Sequence, residues 1–406
     1  VNEVVVSGLG VVSPHGDDAL AMFDAVMRGE SAVRAVFPDL PKATPAATAP
    51  FDETKWFTKL QLAGVDRVSQ FAVAAADLAV RDAGGLHDTD PERIGVYTGC
   101  SMGGAAALEA AYRAGVGMGS SGRVPPLTIP AFMPNAPAGH VAMRHRALGP
   151  VITYSVACAS SAVAIAEAAK AVQCGELDIA IAGGSEALIV PGVVLAWQAM
   201  MTLATFAPGE AAISCKPFAT DRSGFALGEG AAFLVLESAA RARARGARVH
   251  ARLAGWGISC DATHLTKPDV AGQQRALRGA LRQAGLEPAD VGYCNAHGTA
   301  TKIGDLVESA SLAGLWGNAI ADLRVSSTKA VHGHLLGAAG ALEAVITVLA
   351  LQQQRLPPNM HGREPDPACG LNLVLDRQAG APGLQAAISS SFAFGGTNAT
   401  LLFTRA

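Results

Sequence analysis

The chain is poor in aromatic side chains (5%) and in charge (16%), and its formal net charge is only −3. That balance leaves no electrostatic footprint for nucleic acid or an anionic membrane surface. Seven cysteines occur, at 100, 158, 174, 215, 260, 294 and 369. Their number is odd and no C-x-x-C pair is present, which argues against a disulfide framework or a zinc site and for a reducing compartment. No uninterrupted apolar run is long enough to span a bilayer, and no basic n-region precedes the opening VNEVVVSGLG. The expectation is a soluble, cytoplasmic protein with no nucleic-acid or membrane partner.

Small and apolar residues are abundant. Half of the 406 residues are hydrophobic and 45 are glycine, enough for two core units or one large α/β body. Short β-branched runs at 4–6, 94–98, 151–154, 179–182 and 232–236 read as strands, many of them continuously apolar, as in sheets covered on both faces. A helical stretch opens at Phe71 and stops at Gly84-Gly85. The arginines at 241, 243, 245 and 248 read as a solvated helix ending at Gly246, where the first half (1–246) gives way to the second (247–406). The second half repeats the grammar. A strand lies near Tyr293, a helix starts at Asp305, a strand covers 324–327, a long helix covers 337–354, and strands follow at 371–375 and 386–390. Segments 37–52 and 115–134 read as surface loops.

The most informative stretch of the first half is VITYSVACASSAVAIAEAAKAVQCGE. A strand ends, a turn of small residues carries Cys158, and a helix begins at once. That helix is small and apolar on nearly every side, so it should be buried. A cysteine at its N-terminus sits where the macrodipole favours an anion, which should lower the thiol pKa and make a nucleophile. The other cysteines read as inert core residues. Two segments of the second half also look like site loops: YCNAHGTATKIGDLVE, carrying His297, and SSTKAVHGHLLGAAGALEAV, carrying His334. Two histidines at strand-to-helix junctions, flanked by glycine and small polar residues, are poorly explained by packing.

These segments resemble the β-ketoacyl-acyl carrier protein synthases of the thiolase superfamily. The resemblance runs from Val4 onward through ACASS around Cys158, AGGSEA at 182–187, KPFATDRSGFALGEGA at 216–231, HGTAT at 297–301, GDLVE at 304–308, STKAVHGHLLGAAG at 327–340 and SFAFGGTNA at 391–399. It implies a five-layered αβαβα fold built from two similar halves, a Cys-His-His site and a dimer, either with itself or with a chain-length factor. Carried over residue by residue, Cys158 accepts the acyl group, and His297 and His334 face the thioester. Lys329 matches the family's site lysine, with Glu308 as its companion. Thr266, Thr299 and Thr301 should line a phosphopantetheine tunnel. Phe394 should gate the nucleophile pocket, and Met102 stands where relatives wall the acyl pocket. The implied partner is an acyl carrier protein bearing acyl and malonyl groups, and no metal or other cofactor is needed. Lys329 reads equally as a catalytic group or as half of an ion pair with Glu308, and Met102 as pocket wall or ordinary core.

The resemblance implies decarboxylative condensation, in fatty acid synthesis or as the active subunit of a specialised type II polyketide or polyene synthase. A thiolase would carry a second catalytic cysteine near SFAFGGTN, and an inactive chain-length factor would lack the nucleophile. The chain departs from the family pattern in three places. Ser223 replaces a common Asp, and His332 a common Thr. Around Arg67, Asp66 and Gln70 dilute a basic cluster that docks the carrier in many relatives.

Overall fold

The computed structural model describes residues 2–86, 89–116 and 123–406. The first half contributes strands β1 (Val4–Val12), β2 (Ile94–Gly99), β3 (Val151–Tyr154), β4 (Ile179–Glu186) and β5 (Gly230–Ser238). The second contributes β6 (Ala251–Cys260), β7 (Tyr293–Asn295), β8 (Arg324–Ser326), β9 (Asn372–Leu373), β10 (Ala386–Phe392) and β11 (Thr397–Thr404).

The two sets share one topology. In the first, β1 pairs antiparallel with β5 and β5 with β4, then β4, β2 and β3 run parallel. In the second, β6 pairs antiparallel with β11 and β11 with β10, then β10, β7, β8 and β9 run parallel. The sets join through β1 and β6, at Val5↔Arg252 and Val6↔Ala251, so these eleven strands are linked in one hydrogen-bonded order, apart from a small three-stranded sheet.

Helices complete the layers. Helices α1 (Arg67–Asp82) and α2 (Ala136–His145) cover the outer face of the first set. Helices α4 (Val270–Ala284) and α5 (Lys302–Trp316) cover the outer face of the second. Between the sets lie α3 (Ser160–Gln173) and α6 (Ala339–Gln353), each touching strands of both halves. This is the five-layered αβαβα arrangement expected from the sequence. Local chemistry sets the boundaries of the outer helices. Asp66 caps α1 by accepting from the Val68 N–H at 3.0 Å, and Asp269 caps α4 by accepting from the Gly272 N–H at 2.8 Å.

Small residues let the central helices approach. A Cβ on Gly340 would come within 2.9 Å of the Ala162 Cβ, so α6 crosses α3 at backbone distance. The Ser161 hydroxyl accepts from the Ala341 N–H at 2.9 Å and ties the two helix starts together. Residues Leu336–Gln353 are apolar and long enough to cross a membrane, but 89% of this window is buried inside the fold, where it serves as core.

Several sequence expectations change. Segment 37–52 is not all loop, because Thr44–Ala47 is a buried strand pairing with Arg34–Val36. Segment 115–134 contains a short helix, Thr128–Phe132, and its residues 117–122 lie outside the described residues. Strands β6 and β11 were not expected. In β6 an arginine and two glycines interrupt the apolar run, although its first five residues alternate in exposure. The arginine-rich helix stops at Ala244, and Arg245 turns back onto the buried Glu237, with its Nε 2.9 Å from the carboxylate.

Candidate active site

Strand β3 ends at Tyr154, and a 3-10 turn, Ala157–Ala159, carries Cys158 into α3. Ala157 holds φ +49°, a left-handed conformation that costs an L-residue about 1–3 kcal/mol. The Ser160 hydroxyl braces the turn. It accepts from the Val156 N–H at 2.9 Å and donates to the Ala157 carbonyl at 2.6 Å. The strain aims Cys158 toward the second half.

His297 follows β7, and His334 follows β8 after a short helix, Lys329–His332. The ligand atoms of Cys158, His297 and His334 lie within 4.8 Å of one another, all buried. The two imidazoles meet edge to face, with centroids 5.4 Å apart. Nε2 of His334 is 3.1 Å from Sγ of Cys158. On its other side, Nδ1 of His334 accepts from the Leu336 N–H at 3.3 Å. That bond fixes the tautomer, so the proton sits on Nε2 and points at sulfur. Sulfur and two imidazoles are also a donor set suited to zinc. A metal would need the Nε2 lone pair, however, and this tautomer presents the proton instead.

Burial holds both imidazoles well below the usual histidine range, and the nearby positive charge of Lys329 lowers them further. They are therefore neutral hydrogen-bond donors at physiological pH. The thiol departs from its expectation. Burial pushes Cys158 up to about 12, and the opposing influence of Lys329 does not offset this. Burial thus favours the protonated thiol over the thiolate, and Nε2 of His334 lies within hydrogen-bonding reach of the sulfur.

Lys329 is fully buried, and its ammonium pairs with Glu343 of α6. The expected pairing with Glu308 is thereby corrected. Glu308 instead accepts the backbone N–H groups of His297 and Gly298 at 2.8 and 2.7 Å, fixing the loop that carries the histidine. Glu343 was missed in the sequence, although a single acid in an otherwise apolar helix was a signal. Glu186, in AGGSEA, is fully buried. It accepts from the N–H groups of Ser101, Met102 and Gly337 at 3.0–3.1 Å and joins loops of both halves.

A cavity of about 690 Å³ opens onto Cys158, His297 and His334 and is lined also by Thr266, Thr299, Thr301 and Phe394. Met102 is not part of this lining. Its N–H is held by Glu186 at 3.1 Å, and the residue is 37% exposed. Trp197, which the sequence did not single out, does line the cavity and stacks on Phe394. Ser223 also lines it, and its hydroxyl accepts from the Thr205 N–H at 3.1 Å. His332 is held on both ring nitrogens, by the Gly333 carbonyl at 2.7 Å and the Thr328 hydroxyl at 2.8 Å. Arg67 is engaged internally. It pairs with Glu229 at 2.8 Å, donates to the Ala49 carbonyl at 2.9 Å and lies 4.5 Å over the Phe71 ring.

Family profiles described as "Beta-ketoacyl synthase, N-terminal domain" and "Beta-ketoacyl synthase, C-terminal domain" match residues 1–242 and 250–363. The chain belongs to the β-ketoacyl synthase family. This synthase is 37% identical to 3-oxoacyl-[acyl-carrier-protein] synthase 2 of Staphylococcus aureus (strain N315), covering 99% of this chain and 98% of that one. It is 39% identical to nodulation protein E of Rhizobium sp. (strain N33), covering 98% of each. Among solved structures, the synthase superposes on the ishigamide ketosynthase/chain length factor with a TM-score of 0.92, at 32% identity and covering 100% and 99% of the two chains. It superposes with a TM-score of 0.91 on a type II polyketide ketosynthase bound to its acyl carrier protein, at 27% identity and full coverage of both chains.

Proposed function

We propose that this synthase extends acyl chains held on an acyl carrier protein, with Cys158 as the acyl acceptor and His297 and His334 as donors to the reacting oxygens. In the first half-reaction Sγ attacks the acyl thioester of the carrier, the C–S bond to the phosphopantetheine breaks, the proton of the Cys158 thiol passes to the departing phosphopantetheine sulfur, and the acyl group rests on Cys158. In the second, malonyl carrier protein loses carbon dioxide. The electron pair of the broken C–C bond becomes an enolate, whose oxygen accepts hydrogen bonds from the imidazoles. The enolate carbon attacks the acyl carbonyl, a C–C bond forms, the bond to Sγ breaks, and the departing thiolate of Cys158 takes a proton from solvent to regenerate the thiol. The Phe394 N–H has no partner among the described residues and is available to the oxyanion on the cysteine side. Thr266, Thr299 and Thr301 line the approach to Cys158 and suit the amides and hydroxyls of a phosphopantetheine arm.

The observation that carries the reading is the Nε2–H of His334 directed at Sγ of Cys158 inside this cavity. The test is incubation with an acyl carrier protein thioester followed by peptide mass spectrometry. One acyl group should appear on Cys158, and malonyl carrier protein should then release a β-ketoacyl product. Acylation at another cysteine, or none, overturns the assignment.

A second reading concerns assembly and pathway. Strand β3 is an open sheet edge whose Val151 and Ile152 are exposed, beside exposed Met143 and Leu148. Exposed apolar edge strands ask for a partner. We assign this face to a two-fold dimer, with a second copy or with a chain-length factor as in the ishigamide complex, and we place the protein in the cytoplasm. Purification alone and with a co-expressed chain-length factor, with product analysis of each, separates fatty acid from polyketide synthesis.

A further inference from the structure

Four rings form a chain beside the nucleophile. Phe394 stacks on Trp197, with centroids 6.3 Å apart and planes 25° from parallel. Trp197 meets Phe225 edge-on at 5.5 Å, and Phe225 meets His334 edge-on at 5.3 Å. Phe394, Trp197 and Phe225 all line the cavity that holds Cys158. The helix carrying Trp197, Pro191–Ala199, is pinned through Gln198, whose amide donates to the Thr44 hydroxyl at 2.8 Å. Phe394 by contrast lies in a turn outside helix and strand, before Gly395 and Gly396, both at positive φ, and its own N–H has no partner among the described residues. The fixed member of the stack is therefore Trp197 and the movable one is Phe394.

An acyl group that enters by displacing Phe394 uncovers the face of the indole. A saturated chain covers that face with dispersion contacts only. A planar, conjugated chain replaces the stacking that Phe394 gave up. We infer that Trp197 is a specificity-determining residue that favours planar conjugated acyl groups, such as dienoyl, polyenoyl or aryl thioesters, over saturated chains of equal length. This inference rests on the assignment of Cys158 as acyl acceptor.

The test compares single-turnover acylation of Cys158 by hexa-2,4-dienoyl and hexanoyl carrier protein. One stacked pair corresponds to a preference of about three- to tenfold. Wild type should favour the dienoyl substrate by that factor, Trp197→Phe should keep most of the preference, and Trp197→Leu should erase it. Loading of a dienoyl group should also quench tryptophan emission in wild type more than in Trp197→Phe, whereas hexanoyl loading should not. Acetyl transfer to Cys158, followed by mass spectrometry on each variant, reports whether the site itself is intact. If acetyl transfer fails in wild type, the acyl-acceptor assignment falls. If it succeeds while wild type shows no dienoyl preference, or Trp197→Leu retains one, the inference about Trp197 falls alone.

Discussion

Nε2 of His334 lies 3.1 Å from Sγ of Cys158, although 176 residues separate the two along the chain. The first half aims the sulfur through the strained turn at Ala157, and the second aims the imidazole through the Leu336 N–H. What the imidazole offers is a proton held in place, so its contribution should follow the presence of a donor at that point.

His334→Ala should therefore slow malonyl decarboxylation by about 10²–10³-fold, the usual cost of one lost oxyanion donor. His334→Gln places an amide N–H near the Nε2 position and should recover part of that loss. Carbon dioxide release from malonyl carrier protein measures both. Equal rates in the alanine and glutamine variants would remove the donor role.

Lys329 and Glu343 form a buried pair between the site and α6. Lys329→Met strands a buried carboxylate and should destabilise the fold by about 3–5 kcal/mol, whereas Lys329→Met with Glu343→Met should regain most of it. The double variant also removes the positive charge that helps keep both imidazoles neutral. The acid limb of its pH–rate profile should therefore move to higher pH. An unchanged limb would confine the lysine to packing.

His332 supplies a pH dependence of stability. Burial pushes its imidazole down to about 3, against the ordinary 6.5 expected in the unfolded chain. Between those values the unfolded state binds a proton that the folded state refuses. Stability is thus complete above about pH 6.5 and falls as pH drops toward 3, by about 1.4 kcal/mol per pH unit from this residue. Urea midpoints at pH 7, 6 and 5 should fall less steeply for His332→Asn than for wild type. Parallel slopes would contradict this.

The edge strand β3 should govern assembly. Sedimentation velocity should find a dimer, and Ile152→Lys should shift it toward monomer by placing a charge on the open edge. A wild-type monomer with full activity would refute the proposed interface.

Cys158, His297 and His334 were legible because each stands at a strand-to-helix junction among glycines and small polar residues, a pattern packing alone does not demand. Sheets covered on both faces were legible from continuous apolar strands, and the buried core helices from their lack of a polar face, whereas the five-layered arrangement came with the family resemblance. The partners of the site were harder to read. Lys329 and Glu343 are 14 residues apart across a turn, and nothing in the spacing distinguishes Glu343 from Glu308 as the counter-charge. The thiol was misjudged because helix position suggests a lowered pKa, whereas the depth of burial, which raises it, appears only once both halves close around the sulfur. Trp197 carries no local mark at all, since its role depends on a ring 197 positions away in the chain.

The last described strand, Thr397–Thr404, lies between Ala251–Cys260 and Ala386–Phe392. On a ribosome the second sheet cannot close until that strand has emerged, by which time the first half and its cysteine have long been outside the exit tunnel. Long-range pairings of this kind form late. A chain truncated before Thr397 lacks the strand through which β10, and with it the strand leading to His297, is joined to β6.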